Sequence, residues 1–288
     1  MRDILVTGGT GTTGSKVMQA LTAAGIAHRT GTRRPAAAGD VAFDWADPAI
    51  AAGALGAAEA VYIVAPTDRS DHGRVMIPVL EEALANGLRR CVLLSSSMLE
   101  PGGPMMGEVH AWIAANAPEW AVLRPSWFMQ NLMTQHRRSI AQDRAIFTAT
   151  GRGRCGFIDA SDIADVAVAA LTADTGWNRD CILTGPQALN YDEVASSLTA
   201  RLGFTVGHVA LSEDDCADRW RAQGMDDGYA RALAAMDRRI AEGAEDRVTD
   251  AVAQLAGHPP VTLQQFIDRN RHVWKDAPMK GQRHEGNL

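Results

Sequence analysis

The chain has 288 residues, and its 28 Lys and Arg against 34 Asp and Glu give a formal net charge of −6. This mild acidity argues against a nucleic-acid-binding protein, which needs a basic surface to contact phosphates. Hydrophobic residues make up 46% and charged residues 22%, as in soluble globular proteins, and no apolar run reaches the roughly 18 residues of a membrane span. The four cysteines form no C-x-x-C pair and the N-terminus lacks a signal-peptide layout, which predicts a reduced, cytoplasmic protein without membrane contact.

Short, almost wholly apolar runs alternate with helical patterns through the first two-thirds of the chain. The runs predicted as strands cover residues 4–6, 26–33, 41–44, 61–64, 91–94, 120–123 and 181–184. In the helices between them, such as residues 17–24 and 72–86, apolar side chains recur every three or four positions. Strands that are apolar on both faces and separated by helices form parallel sheets covered on both sides. The predicted fold class is therefore α/β, with a doubly wound parallel sheet.

The pattern changes from strands to helices after about residue 186. Two candidate capping boxes open helices in this region, Asn190 with Glu193 and Thr262 with Gln265. We expect a sheet-containing domain over residues 1–187, a smaller, mainly helical lobe over 188–274, and a flexible tail over 275–288.

A glycine-rich loop between the first strand and the first helix is the strongest local signal. Gly8, Gly11 and Gly14 follow a G-x-x-G-x-x-G pattern within Thr7-Gly8-Gly9-Thr10-Gly11-Thr12-Thr13-Gly14. Glycines here permit a tight turn and let backbone N–H groups approach a pyrophosphate at the helix N-terminus. A plain tight turn is the alternative, but the strand before the loop and the amphipathic helix after it favour dinucleotide binding.

The end of the second predicted strand indicates which dinucleotide is bound. An acid about twenty residues past the loop would bond the ribose 2′-hydroxyl of NAD, yet no Asp or Glu occurs between Gly14 and Gly39. Arg33 and Arg34 stand there instead, and guanidinium groups can bind a 2′-phosphate. We therefore expect NADP(H) in preference to NAD(H), although one of the two arginines could be a solvated loop charge.

Five motifs spread from about residue 3 to 274 resemble one family. They are Thr7 to Gly14, Ser95-Ser96-Ser97, Leu123-Arg124-Pro125-Ser126-Trp127-Phe128-Met129-Gln130-Asn131, Phe157-Ile158-Asp159-Ala160-Ser161-Asp162-Ile163-Ala164 and Leu183-Thr184-Gly185-Pro186. The sequence resembles the NmrA-like atypical short-chain dehydrogenase/reductases, including members similar to ergot-alkaloid iminium reductases and isoflavone-reductase-type enzymes. This resemblance implies a Rossmann-type domain that binds NADP(H) and a small C-terminal lobe that closes over a substrate cleft.

The resemblance also implies a role for each matching residue. It places Gly8, Thr10, Gly11, Thr12, Thr13 and Gly14 around the pyrophosphate, Arg33 and Arg34 near the 2′-phosphate, Asp44 and Trp45 beside adenine, Ala65 and Pro66 along the middle of the cofactor, Ser95 and Ser96 near the nicotinamide ribose, and Pro125, Trp127 and Phe128 beside the nicotinamide. The two aromatic rings favour a small, flat or apolar acceptor there.

The proton-transfer pair of the wider superfamily is missing. Its Tyr-x-x-x-Lys positions fall near Gly102 and Met106, neither of which can transfer a proton. Tyr62, Tyr191 and Tyr229 are the three tyrosines of the chain, and none has a lysine four positions later. Interconversion of alcohols and ketones by that pair is therefore disfavoured.

Hydride transfer to an activated acceptor remains the leading prediction. An iminium, enone, quinone or comparably activated carbonyl, as in secondary metabolism, is electrophilic enough to need no strong acid. Ser97, Glu108 and His110 are candidate proton donors, with Ser97 matching the active-site serine of the superfamily.

Two other functions remain open at this level. The protein could bind the dinucleotide as a non-catalytic redox sensor, or catalyse a redox-neutral isomerisation or cyclisation with the cofactor bound. The eight histidines show no H-x-H or H-x-x-x-H spacing, so we predict no catalytic metal. The sequence assigns no oligomeric state.

Overall fold

The computed structural model describes residues 3–67 and 69–275, which form two compact units. Within the described residues, unit 1 comprises 3–126, 160–184 and 249–260. Unit 2 comprises 127–159, 185–248 and 261–275.

The secondary structure alternates between strands and helices as far as residue 183. The strands are β1 Ile4–Thr7, β2 His28–Thr32, β3 Asp40–Ala42, β4 Ala60–Ile63, β5 Arg90–Leu94, β6 Glu119–Pro125, β7 Ala145–Thr148, β8 Arg179–Leu183 and β9 Gly207–Ala210. The helices are α1 Gly14–Ala23, α2 Pro48–Gly56, α3 His72–Ala85, α4 Met106–Asn116, α5 Ala160–Thr172, α6 Tyr191–Leu202, α7 Glu213–Ala222, α8 Asp227–Ala241, α9 Ala251–Ala256, α10 Leu263–Asn270 and α11 His272–Lys275. A 3₁₀ turn at Met129–Leu132 and a π-helical turn at Ser139–Asp143 complete the regular elements.

Unit 1 is built on a seven-stranded parallel sheet in the order β3-β2-β1-β4-β5-β6-β8. The chain winds outward from β1 to β3, then returns to the centre at β4 and winds the other way. Ligands of such sheets bind where the strand order reverses, outside the carboxyl ends of the strands. The structure thus confirms the predicted Rossmann-type, doubly wound fold and places its switch point between β1 and β4.

The central strands are buried on both faces, as their apolar runs predict. All four residues of β1 and all four of β4 are at most 1% exposed. One set of alternate side chains, including Leu5, Ile63 and Leu93, forms a core with α2, α3 and α4. Helices α1 and α5 pack against each other and against the strands.

Unit 2 is mainly helical, with a two-stranded parallel sheet of β7 and β9. Its core contains the buried rings of Phe157, Tyr191, Phe266 and Trp274. Both predicted capping boxes are confirmed. The side chain of Asn190 accepts from the Glu193 N–H, that of Thr262 accepts from the Gln265 N–H, and the third residue of each helix caps in return.

The two units differ from the predicted domains in their boundaries. A single division after residue 187 would leave 127–159 with the sheet, whereas these residues group with unit 2, and 249–260 group with unit 1. The reason is that the chain passes several times between the two cores, which no single boundary can represent. The predicted tail lies, after Lys275, outside the described residues.

Five helices and strands of the described residues were not predicted from the sequence, namely α2, α7, α9, β7 and β9. Among the helices of the described residues, none is both long and apolar enough to cross a lipid bilayer.

Candidate functional site

The glycine loop after β1 folds so tightly that two of its positions have no room for a side chain. A Cβ added at Gly14 would overlap the carbonyl oxygen of Gly8, and one at Gly9 would overlap the methyl group of Thr30. Gly8 itself has φ +64°, and its carbonyl accepts a 2.8 Å hydrogen bond from the Gly11 N–H. The sequence signal is therefore a physical requirement of the turn that leads into α1.

The N-terminus of α1 is suited to an anion. No acidic residue lies in its first turn. Thr13 is the N-cap residue, and its side chain makes no capping hydrogen bond to the helix. Helix N-termini carry a partial positive charge and unpaired N–H groups, which bind phosphate. The cradle that the glycines leave open, together with this helix end, fits the pyrophosphate of a dinucleotide.

Thr7 ties the glycine loop to the neighbouring strand. Its Oγ1 donates to the Tyr62 carbonyl at 3.0 Å and accepts from the Val64 N–H at 2.8 Å. The Val64 carbonyl in turn accepts from the indole N–H of Trp45 at 2.9 Å. Trp45 is buried and packs edge-on against Phe43, so its indole N–H is already used by the protein.

Asp44 precedes Trp45 and is half-buried just after β3. Its Oδ1 accepts from the Ala46 N–H at 3.0 Å, which forms a turn at the end of the strand. The predicted adenine contacts thus follow β3 directly, with Asp44 the more open of the two.

Arg33 and Arg34 are exposed where β2 ends. Neither guanidinium forms an ion pair with an acid in the described part of the chain. The backbone N–H of Arg34 donates to Thr32 Oγ1 at 3.3 Å, which shapes the turn. Within that part of the chain, both side chains therefore carry positive charge that no acid neutralises. They follow β2, the strand that pairs with β1, and the glycine loop follows β1.

Ala65 and Pro66 follow β4 and are half-buried. The Pro66 carbonyl lies 3.0 Å from Nε2 of His72, the first residue of α3. Since a carbonyl only accepts, the ring nitrogen is the donor, and this bond holds the segment between β4 and α3.

Ser95, Ser96 and Ser97 follow β5 directly, and two of them form backbone hydrogen bonds with the end of β6. The Ser95 N–H donates to the Leu123 carbonyl at 2.8 Å, and the Ser97 N–H donates to the Pro125 carbonyl at 3.0 Å. The hydroxyl oxygen of Ser95 is buried and has no hydrogen-bond partner among the described residues. A buried hydroxyl without a partner is costly, so this atom fits a ligand group such as a ribose hydroxyl.

The predicted cofactor residues of unit 1 all lie at the carboxyl edge of its sheet. Taken across the sheet, they are Asp44 and Trp45 after β3, Arg33 and Arg34 after β2, Gly8 to Gly14 after β1, Ala65 and Pro66 after β4, Ser95 and Ser96 after β5, and Pro125 at the end of β6. Neighbouring strands are about 4.8 Å apart, so the six strand ends extend over roughly 24 Å. An extended dinucleotide can follow such an edge.

Trp127 and Phe128 belong to unit 2, where both are half-buried. The Trp127 carbonyl accepts from the Ile158 N–H at 2.9 Å. Burial raises the pKa of the Tyr191 hydroxyl well above its usual value. The indole Nε1 of Trp127 is buried and has no hydrogen-bond partner among the described residues, and its ring packs against the same core as Tyr191. Trp127 thus joins the aromatic core of unit 2.

Unit 2 also contains a buried acid that the sequence did not single out. Asp237 is 6% exposed, accepts from the Ala149 N–H at 2.9 Å, and lies 3.6 Å from the Cys216 thiol. Within the described residues it has no cationic partner, and burial raises the pKa of its carboxyl to about 6. A carboxylate buried without a cation costs folding free energy.

The three predicted proton donors do not converge on one point. Ser97 is 2% exposed at the sheet edge, whereas His110 is buried on α4, where desolvation lowers the pKa of its imidazole. Glu108 is exposed, and its carboxylate lies against Gly73 in the first turn of α3. Of the three, only Ser97 follows a strand at the carboxyl edge of the sheet, where the predicted cofactor residues lie.

Arg124 is a buried cation beside Ser97 that was not predicted as a site residue. Its guanidinium donates to the Ser97 carbonyl at 3.3 Å, and its charge adds to the lowering of the His110 pKa. An arginine directly after the apolar run of residues 120–123 is the sequence signal that could have identified it.

Comparisons with known proteins agree with this geometry. A model of the NAD(P)H-binding family matches residues 8–174. An uncharacterized oxidoreductase of Bacillus subtilis, YesF, is 40% identical over 275 residues, covering 94% of this chain and 96% of its own. Agroclavine dehydrogenase of Claviceps fusiformis is 34% identical over 284 residues, covering 94% and 98%.

A solved structure shares the fold. The NADPH-dependent quinone oxidoreductase QOR2 of Escherichia coli, in complex with NADPH, superposes with a TM-score of 0.79 at 23% identity, over 93% of this chain and 99% of that one.

Proposed function

The chain belongs to the NAD(P)H-binding oxidoreductases of the atypical short-chain dehydrogenase/reductase type, and on that premise we propose that it is an NADPH-dependent reductase of a small, activated organic acceptor. The observation that carries the proposal is the continuous edge of unit 1, from the exposed arginines after β2 to the serines after β5. The acceptor class is an iminium, enone, quinone or activated carbonyl.

The residues at this edge fit the reduced dinucleotide. When bound, its nicotinamide supplies the hydride. Gly8 to Gly14 and the first turn of α1 would bind the pyrophosphate, and the unpartnered hydroxyl of Ser95 would bind a ribose hydroxyl.

Selectivity for the 2′-phosphate is assigned to Arg33 and Arg34. Both are exposed, and no ion pair within the described residues neutralises either. A guanidinium can donate two parallel hydrogen bonds to a phosphate, whereas NAD(H) offers only a hydroxyl at the same place. This supports NADPH over NADH.

The proposed acceptor class follows from the absence of the superfamily's tyrosine and lysine, which would otherwise supply a proton to the acceptor. Counting along the sequence puts the superfamily's tyrosine and lysine near Gly102 and Met106. In the structure Gly102 lies in a turn with φ +77°, and Met106 is buried at the start of α4. Ser97 is the proton donor that we retain, because its backbone is bonded to the end of β6. A serine hydroxyl is a weak acid, so it suits an acceptor that is already electrophilic.

The names of two similar proteins agree with this class. Agroclavine dehydrogenase and NADPH-dependent quinone oxidoreductase are both redox enzymes of small organic molecules. We extend to this chain only the reaction type, hydride transfer to such an acceptor, and not their particular substrates.

The experiment that tests the proposal has two steps. Fluorescence titration with NADPH, NADP⁺, NADH and NAD⁺ should give tightest binding for NADPH, and stopped-flow mixing with iminium, enone and quinone acceptors should then oxidise it. Binding of NADPH without oxidation by any acceptor would contradict the reductase and favour a sensor or a redox-neutral enzyme. Failure to bind any dinucleotide would contradict the cofactor site itself.

A further inference from the structure

Arg124 is a buried cation in the strand that ends at the cofactor edge. It is the sixth residue of β6 and is 5% exposed, in a strand whose neighbouring residues 121–123 are apolar and buried. Taking a guanidinium out of water is costly, and it is tolerated only where charges and hydrogen bonds compensate it. The groups that contact the Arg124 guanidinium therefore indicate which segments of the chain it positions.

Two carboxylates compensate the charge. Nη2 of Arg124 lies 2.8 Å from Glu100 Oε1, and Nη1 lies 2.8 Å from Asp180 Oδ2. Glu100 lies three residues after Ser95–Ser97, which we call the serine segment. Asp180 lies on β8, the next strand of the sheet. The guanidinium thus links the far end of the serine segment to the strand on the other side of β6.

The remaining donors point at the serine segment itself. Nη2 donates to the Ser97 carbonyl at 3.3 Å, and Nε donates to the Ser96 carbonyl at 3.5 Å. The backbone of β6 also holds this segment, because the carbonyls of Leu123 and Pro125 accept from the Ser95 and Ser97 N–H groups. The main chain of β6 therefore binds N–H groups of this segment, and the side chain of Arg124 binds its carbonyls.

We propose that Arg124 is a positioning residue for the reaction, which fixes the orientation of the segment Ser95–Ser97 through the carbonyls of Ser96 and Ser97 and touches neither cofactor nor acceptor. This inference rests on the proposed function. Its chemistry requires a planar group with several donors in fixed directions, since two carboxylates and two carbonyls are bound at once. A lysine ammonium can pair with one carboxylate but cannot reproduce that arrangement.

The chain offers a matched control in Arg90. This arginine is 1% exposed at the start of β5, donates to Glu119 Oε2 at 2.7 Å, and donates through Nη1 to the carbonyls of Ala170 and Leu171 near the end of α5. It is equally buried and similarly bonded, but it lies at the amino edge of the same sheet. A purely structural role for Arg124 predicts equal consequences at both positions.

The first experiment compares Arg124→Gln, Arg124→Lys and Arg90→Gln. We expect both glutamine variants to lower Tm, but only Arg124→Gln to slow single-turnover oxidation of bound NADPH, by roughly 10- to 100-fold, as loss of an orienting partner does elsewhere. Arg124→Lys should recover only part of the rate. Equal rates per folded molecule for Arg124→Gln and the wild-type protein would overturn the proposal.

The second experiment is a double-mutant cycle with Ser97→Ala. If Arg124 acts through the serine segment, Arg124→Gln should change the rate of the Ser97→Ala protein by less than about threefold, because the coupled effect has already been lost. Additive losses would place the role of Arg124 elsewhere and overturn the proposal. Should Arg124→Gln fail to fold, Glu100→Gln replaces it, since Glu100 is 73% exposed and its loss should not prevent folding.

Failure of the proposed function gives a different result. If the wild-type protein binds NADPH but oxidises it with no acceptor, the affinity for NADPH replaces the rate as the measurement. Weaker binding by Arg124→Gln than by Arg90→Gln then supports positioning of the serine segment, and equal binding overturns it. If the wild-type protein binds no dinucleotide, both proposals fall together.

Discussion

The α-carbon of Gly14 faces the carbonyl oxygen of Gly8 so closely that a methyl group at position 14 would overlap that oxygen. The same carbonyl accepts the 2.8 Å hydrogen bond from Gly11 that closes the loop. The shape of the glycine loop, which we propose as the phosphate cradle, therefore depends on a missing side chain.

Gly14→Ala tests this dependence. The added methyl group should displace the Gly8 carbonyl and reduce NADPH affinity by at least about tenfold, a loss of roughly 1.4 kcal/mol. Gly53→Ala is the control, because nothing lies within 4 Å of a Cβ there and the residue is within α2. It should raise the free energy of unfolding by about 0.5 to 1 kcal/mol and leave binding unchanged. Retained affinity in Gly14→Ala would mean that the cradle does not bind the cofactor.

Replacement of Arg33 and Arg34 by alanine tests the choice of dinucleotide. Each charge-assisted hydrogen bond to a phosphate contributes about 1.5 to 3 kcal/mol, so removing the responsible arginine should weaken NADPH binding by roughly 10- to 100-fold and NADH binding much less. Arg89→Ala is the control, since Arg89 is also exposed but precedes β5 at the opposite sheet edge. Fluorescence titrations would measure all affinities, and equal losses for both nucleotides would contradict the 2′-phosphate assignment.

Asp237→Asn tests the buried acid of unit 2. Burial raises the pKa of this carboxyl from 3.8 to about 6, so its contribution is most favourable at low pH, where it is protonated, and declines as pH rises from about 4 to 6. The amide keeps an acceptor for the Ala149 N–H without the charge. At pH 7.5 the variant should therefore be more stable, by up to about 3 kcal/mol, because each pKa unit corresponds to about 1.4 kcal/mol.

A second buried group acts in the opposite direction and has to be separated from Asp237. Burial lowers the pKa of His136 from 6.5 to about 4, so that histidine costs stability as pH falls through this range. The difference between variant and wild-type free energies of unfolding cancels this contribution. Urea denaturation at pH 4, 5, 6 and 7.5 should show the difference growing with pH, and a constant difference would refute the assignment.

Trp127→Ala tests the predicted aromatic contact with the acceptor. Trp127 is half-buried and packs against the core cluster that contains Tyr191. We expect alanine to raise KM for a flat acceptor by about tenfold, as removal of an aromatic stacking surface does, and Trp127→Phe to retain most of the affinity because the planar face remains. Steady-state kinetics at saturating NADPH would show the effect, and equal KM values in all three proteins would remove Trp127 from the acceptor site.

Much of the local structure around the candidate site could be predicted because its signals act over a few residues. The glycine loop requires particular backbone geometry within seven residues, and the capping boxes at Asn190 and Thr262 act over three. Helix α2 had a comparable signal, with Asp47 as cap and Pro48 in the first turn, and it could have been found. The strands β7 and β9 could not, because each is stabilised by pairing with a partner about sixty residues away.

The amino-acid sequence by itself determined the α/β class, the tight glycine loop and the position of the arginines after β2, since periodicity, glycine and charge act over a few residues. Only the tertiary structure decided the interleaving of the two units, the burial of Asp237 and the contacts of Arg124 with Glu100 and Asp180. These depend on which distant segments pack together, and the free energy of that packing belongs to the whole fold rather than to any short stretch of chain.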